Sequence, residues 1–85
     1  MRTRAYILVK TDVATTESLV DRLRGLPGVV MADAVAGDCD AVAYVECDGP
    51  VDLGDLIMTK IHSIPGLRTT QTFVVLSSRQ DAEGG

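Results

Sequence analysis

The sequence predicts an α+β sandwich of order βαββαβ, a four-stranded antiparallel sheet with two helices on one face. Three observations predict it. Runs of β-forming residues alternate with two amphipathic helical stripes, a Pro-Gly pair ends each stripe, and the second half of the chain repeats the pattern of the first.

Ala5-Tyr6-Ile7-Leu8-Val9, bounded by Lys10-Thr11-Asp12, reads as the first strand. Leu19, Val20, Leu23 and Leu26 then recur at the spacing of a short amphipathic helix. Asp12 or Thr15 is placed to cap it, Glu17 suits the positive end of its dipole, and Gly25 with Pro27-Gly28 stops it. A second strand is expected from Val29 to Ala36, ended by Gly37-Asp38, and a third from Ala41 to Cys47. Asp48-Gly49-Pro50 opens a second helix, since proline tolerates the first helical position. Its stripe is Leu53, Leu56, Ile57, Ile61 and Ile64; Asp52 and Asp55 read as favourable charges in its first turns. Pro65-Gly66 ends it, and Leu67 to Leu76 is the last strand. Residues 1–77 form the expected domain, and 78–85 a polar, frayed tail.

A shift of 38 positions lays Ala5-Tyr6 on Ala43-Tyr44, Leu19 on Ile57, and Leu23 on Ile61. It also lays Leu26-Pro27-Gly28-Val29 on Ile64-Pro65-Gly66-Leu67. Each half is one β-α-β unit, and two interleaved units make the ferredoxin-like split βαβ sandwich.

With 85 residues there is room for one core, and so short a chain buries only about 60–65% of its unfolded surface. Self-association is the expected remedy. The net charge is −4 and the basic residues are scattered, which argues against direct nucleic-acid binding. Cys39 and Cys47 lie too far apart along a strand to bridge, and no CxxC suggests a metal or redox centre. No metal or cofactor is expected. No apolar run reaches membrane-spanning length, so a cytoplasmic protein with reduced thiols is expected, with no membrane partner.

The strands are apolar on both faces, whereas a sheet covered on one side alternates apolar with polar residues. Tyr6 and Leu8 oppose Ala5, Ile7 and Val9; Val42 and Tyr44 oppose Ala41, Ala43, Val45 and Cys47; Val74 and Leu76 oppose Phe73 and Val75. Two helices cover one face only. A two-fold dimer packed sheet to sheet through Tyr6, Leu8, Val42, Tyr44, Val74 and Leu76 is the economical solution.

The stretch Ala36-Gly37-Asp38-Cys39-Asp40-Ala41-Val42-Ala43-Tyr44-Val45 resembles the Thr-Gly-x-Tyr-Asp-hydrophobic signature of the leucine-responsive/asparagine-responsive (Lrp/AsnC) regulators. Ile61 to Leu76, with Pro65-Gly66-Leu67, Thr70-Gln71-Thr72 and an apolar end, resembles the closing motif of that family, and Leu26-Pro27-Gly28-Val29 its first helix exit. The likeness spans Arg4 to about Leu76. Members usually carry an N-terminal helix-turn-helix, for which these 85 residues leave no room, so the resemblance implies a stand-alone effector-binding and assembly domain. It further implies sheet-to-sheet dimers, often assembled into rings. Small amino acids would bind near subunit interfaces, and mixed oligomers with full-length regulators would be partners.

An α-amino acid needs an acceptor for its ammonium and donors for its carboxylate. Asp38 and Asp40 suit the ammonium, and backbone N–H groups near Gly37 suit the carboxylate. Thr70 and Thr72 add hydroxyls on the last strand, and the resemblance implies that this strand and the β2–β3 turn line the pocket. Cys39 stands where the family commonly has an aromatic, which affects the shape of the pocket. Gly37-Asp38 is equally a turn signal and Asp40 a turn cap, while Thr70 and Thr72 are good strand formers. His62 reads as a solvent-flanking helical residue.

No catalytic residues are assigned, because no paired base and nucleophile is evident. A small dimeric enzyme of the monooxygenase-like type is the competing reading, disfavoured by the absence of Asn and Trp. The terminal Gly84-Gly85 invites comparison with sulfur carriers, whose ββαβ order differs from the one read here.

Overall fold

The computed structural model describes residues 2–12 and 14–76. Its elements are β1 (Thr3–Thr11), α1 (Thr16–Arg24), β2 (Val29–Ala34), β3 (Ala41–Cys47), α2 (Pro50–Asp55), a π-helical segment (Leu56–Ile61) and β4 (Leu67–Val74). The βαββαβ order is as read from the sequence. The tail from residue 77, including Gly84-Gly85, lies outside the described residues.

The sheet is antiparallel in the order β2-β3-β1-β4, so the two halves interleave and β1 and β3 form its centre. One face is covered. Ala5, Ile7 and Val9 of β1, Ala32 of β2, and Ala41, Ala43 and Val45 of β3 are buried beneath Leu19, Val20 and Leu23 of α1 and Leu53, Leu56, Ile61 and Ile64. The small alanines under the helices let the helix axes approach the sheet, and the larger Ile and Leu side chains fill the layer between.

The second helical stripe departs from a continuous α-helix. Its buried residues run Leu53, Leu56, Ile61 and Ile64, and the step from Leu56 to Ile61 is five residues. That step suits a π turn, and the His62 N–H donates to the Ile57 carbonyl at 3.0 Å, five residues back. The wider turn rotates Met58 out to 69% exposure and leaves Ile57 only partly buried. The sequence repeat therefore fails here, since Val20, the counterpart of Met58, is buried.

Neither α1 nor α2 has a side-chain N-cap bond; Thr15, expected as a cap, donates its hydroxyl back to the Asp12 carbonyl at 2.8 Å instead. β2 stops at Ala34, two residues short of expectation, with the Val35 N–H donating to the Asp40 carbonyl at the turn.

Two residues expected on the uncovered face need correction. Paired residues in an antiparallel ladder project to the same face. Tyr6 pairs with Tyr44 and with Phe73, and Leu8 with Val42 and Gln71, so these share the uncovered face. Val74 pairs with Ala5 and therefore lies on the helix side, and Leu76 lies beyond the end of β4. Period-2 alternation defines two faces for each strand, but only the register decides which faces coincide.

Candidate functional site

The expected effector residues fall on two elements at one end of the sheet. The β2–β3 turn is tied to β1: the Asp40 N–H donates to the Val9 carbonyl at 2.9 Å, and the Asp40 carboxylate accepts the Thr11 N–H at 2.9 Å. Thr11 lies past the last β1–β3 pair, Val9 with Ala41, so the carboxylate satisfies a backbone donor that the β3 ladder no longer reaches. Gly37 has φ +150°, a backbone that L side chains rarely adopt, and open space around it. Asp38 is exposed and makes no ion pair or side-chain hydrogen bond among the described residues; Cys39 is half-buried beside it.

Thr70 and Thr72 pair with Val9 and Ile7, so both project to the helix side of β4, an edge strand. Thr70 is level with Ala41, because both pair with Val9, yet β1 lies between them. Two strand spacings separate their backbones by roughly 10 Å. The structure thus brings the turn and the threonines to the same end of the sheet but does not close them into one pocket within the chain.

His62, just past the π-helical segment, lies 3.0 Å from the Thr70 hydroxyl through Nε2. The sequence signals a helical stripe here but not the π turn, which sets the direction in which position 62 projects. His62 is exposed, as expected, but it is tied to an expected site residue rather than simply flanking solvent.

The uncovered face carries Met31, Tyr44, Tyr6 and Phe73 across β2, β3, β1 and β4, with Val42 and Leu8 beside them. Tyr6 and Tyr44 pack ring to ring at 5.0 Å between centroids, tilted by 45°. Met31, Tyr6 and Phe73 are 46%, 45% and 49% exposed. Arg4 and Glu46 pair with each other at one end of this apolar centre, and Asp33 beside Val42 with Lys10 beyond Leu8 lie toward the other, so each end carries both signs of charge.

Two clefts lie elsewhere. One of about 280 Å³, at the opposite end of the sheet, is lined by Arg2, Glu46, Cys47, Asp48, Asp52 and Lys60 among others. Burial, then the nearby Asp52 carboxylate, raises the Cys47 thiol above its ordinary pKa of 9.0. The second, of about 270 Å³, lies between α1 and the end of β2. Neither is lined by an expected effector residue. Among the described residues there is no cluster of His, Cys, Asp and Glu suited to a metal, and no helix long and apolar enough to cross a membrane.

A βαββαβ sandwich with one open apolar face is a ferredoxin-like domain, and E. coli AsnC has the same fold, with a TM-score of 0.83 at 24% identity over 88% of this chain and 51% of that one. The chain belongs to the Lrp/AsnC ligand-binding domain family, whose model matches residues 4–83. An HTH-type transcriptional regulator of Pyrococcus horikoshii is 28% identical over 75 residues, which are 85% of this chain and 50% of that protein. The chain thus spans about half the length of the curated relatives it matches. The crystal structure of FFRP-DM1 superposes with a TM-score of 0.83 at 30% identity, covering 87% of this chain and 99% of that one. The same fold occurs in the Neisseria meningitidis regulator NMB0573, solved as a complex with L-Met, with a TM-score of 0.81 at 20% identity over 89% of this chain and 51% of that one.

Proposed function

We propose that this chain is a non-enzymatic, cytoplasmic amino-acid-binding and assembly module, which self-associates through its open sheet face and responds to a small amino-acid effector. The observation that carries the reading is the row of Met31, Tyr44, Tyr6 and Phe73 across all four strands, apolar and uncovered. Fully burying such side chains is worth about 1.5–3 kcal/mol each, enough for a second copy to stabilise a domain this small. Family membership supports the ligand, and the L-Met bound to the Neisseria regulator supports its class. The expected Gly37, Asp38, Cys39, Asp40, Thr70 and Thr72 are the candidate contacts. Assembly into rings of dimers, or into mixed oligomers with full-length regulators, extends the same reading.

The test is a thermal-shift screen of the purified chain against the twenty proteinogenic amino acids, followed by light scattering with any hit. A ligand selective for the native state adds about 2.7 kcal/mol of stability at 100 times its dissociation constant. A selective shift together with a dimer or larger species supports the reading. A monomer that ignores every amino acid overturns it.

A further inference from the structure

We infer that Arg24 closes the free edge of β2 against strand addition by a second copy of this chain. The closure does not depend on effector binding.

The sheet order leaves two edges, β2 and β4. An edge strand presents unpaired backbone N–H and C=O groups on which another strand can build. β4 is polar through its middle, Arg68-Thr69-Thr70-Gln71-Thr72. β2 is not: it reads Val29-Val30-Met31-Ala32-Asp33-Ala34, with Asp33 as its charge. Val30, Met31 and the following Val35 are all exposed. An exposed, weakly charged strand rich in β-forming residues is the kind that pairs with its like.

The bonds of β2 to β3 fix which of its backbone groups face outward. The Val35 N–H donates to the Asp40 carbonyl at 2.9 Å, so Val35 points toward β3. Backbone groups alternate in direction along a strand, so Asp33 also points to β3, while Ala34 and Ala32 point away from it. Arg24 meets this outward row. Its Nε donates to the Ala32 carbonyl at 2.8 Å, and its Nη2 lies 3.3 Å from Asp33 Oδ1. Asp33 pairs with Val42 and projects to the uncovered face, whereas α1 packs on the other. The guanidinium therefore reaches from the helix layer around the rim of β2, with Asp21 3.8 Å behind it.

An added strand would lie about 4.8 Å from β2, in the place that the Arg24 side chain occupies. Arg24 both takes the Ala32 carbonyl and sets a cation in that lane. At the other end of β2, the register shift between Val29 and Met31 interrupts the ladder that an added strand would extend. Without Arg24, Ala32 and Ala34 would offer a continuous pairing edge. The β2 of a second copy suits it, because antiparallel pairing about a two-fold axis carries the apolar row of Met31, Tyr44, Tyr6 and Phe73 into the second sheet.

Arg24→Ala tests this. The side chain is 54% exposed and outside the core, so the variant should keep the wild-type circular dichroism. Light scattering should show larger particles for Arg24→Ala than for the wild type, growing with concentration. In concentrated samples the Ala34 amide, followed by NMR, should exchange its hydrogen roughly tenfold or more slowly in the variant, because an added strand bonds it. Adding Ala34→Pro to Arg24→Ala should return the wild-type size. Proline removes the outward N–H that an added strand needs and takes no bond from β3.

An Arg24→Ala protein of wild-type size at every concentration overturns the closure. Growth without protection of the Ala34 amide overturns it too, as does growth that Ala34→Pro leaves in place, since either lies off the β2 edge. Amino-acid binding is read separately by the thermal-shift screen, and none of these outcomes alters it.

Discussion

The Asp40 carboxylate accepts the Thr11 backbone N–H at 2.9 Å, joining the β2–β3 turn to the end of β1 across 29 residues of sequence. The bond meets a donor just past the last β1–β3 pair, Val9 with Ala41, so Asp40 organises the turn as well as standing in the candidate site. Asp40→Ala leaves that N–H without its partner and is expected to cost about 1–2 kcal/mol. In a domain of this size each kcal/mol lowers the melting temperature by about 4–8 °C. Asp40→Asn should retain most of the stability, and calorimetric melts at one protein concentration compare the two.

Gly66 and Gly54 should respond to alanine in opposite directions. Gly66 has φ +89°, and a Cβ there would meet Thr15 Oγ1 at 2.5 Å and Thr15 Cβ at 2.8 Å. Gly66→Ala therefore combines a left-handed backbone cost of about 1–2 kcal/mol with displacement of the β1–α1 connection. Gly54 is within α2 with nothing near the added Cβ, so Gly54→Ala should stabilise by about 0.5–1 kcal/mol. Denaturant unfolding of the pair measures both signs.

The register separates the roles of neighbouring residues on β4. Phe73 faces the open side with Tyr6, and Val74 faces the helix side with Ala5. Phe73→Asp should shift the protein toward monomer in light scattering, whereas Val74→Asp should leave the assembly in place. If both dissociate it equally, the sheet face is not the contact.

Cys47 should resist thiol reagents while Cys39 reacts, because Cys47 is buried and its thiol holds its proton above the ordinary pKa of 9.0. Above that value the unfolded thiol loses its proton while the folded one keeps it. The folded state then binds more protons, so this group makes stability fall as pH rises past 9. Replacing Cys47 with Ala should flatten that alkaline loss, and melts between pH 8 and pH 10 measure it.

The chain order, the Pro-Gly helix exits and the covered strand face were legible in the sequence because each is a local or periodic signal: Ala5, Ile7 and Val9 alternate, and Leu19 and Leu23 recur at helical spacing. The excess of apolar residues on Tyr6, Leu8, Val42 and Tyr44 was legible for the same reason. Three features were not. The face of Val74 depends on how β4 registers against β1, and alternation within a strand carries no information about its phase with a neighbour. The π turn follows from packing Leu56 and Ile61 into one core, where the tertiary demand of a five-residue step overrides the helical repeat. The pairing of His62 with Thr70 depends in turn on that rotation and on the edge position of β4. The sequence alone determined which elements form and that one sheet face is left apolar. Only the tertiary structure decided which side chains share that face and which site residues meet, because register and helix rotation are set by contacts between distant segments.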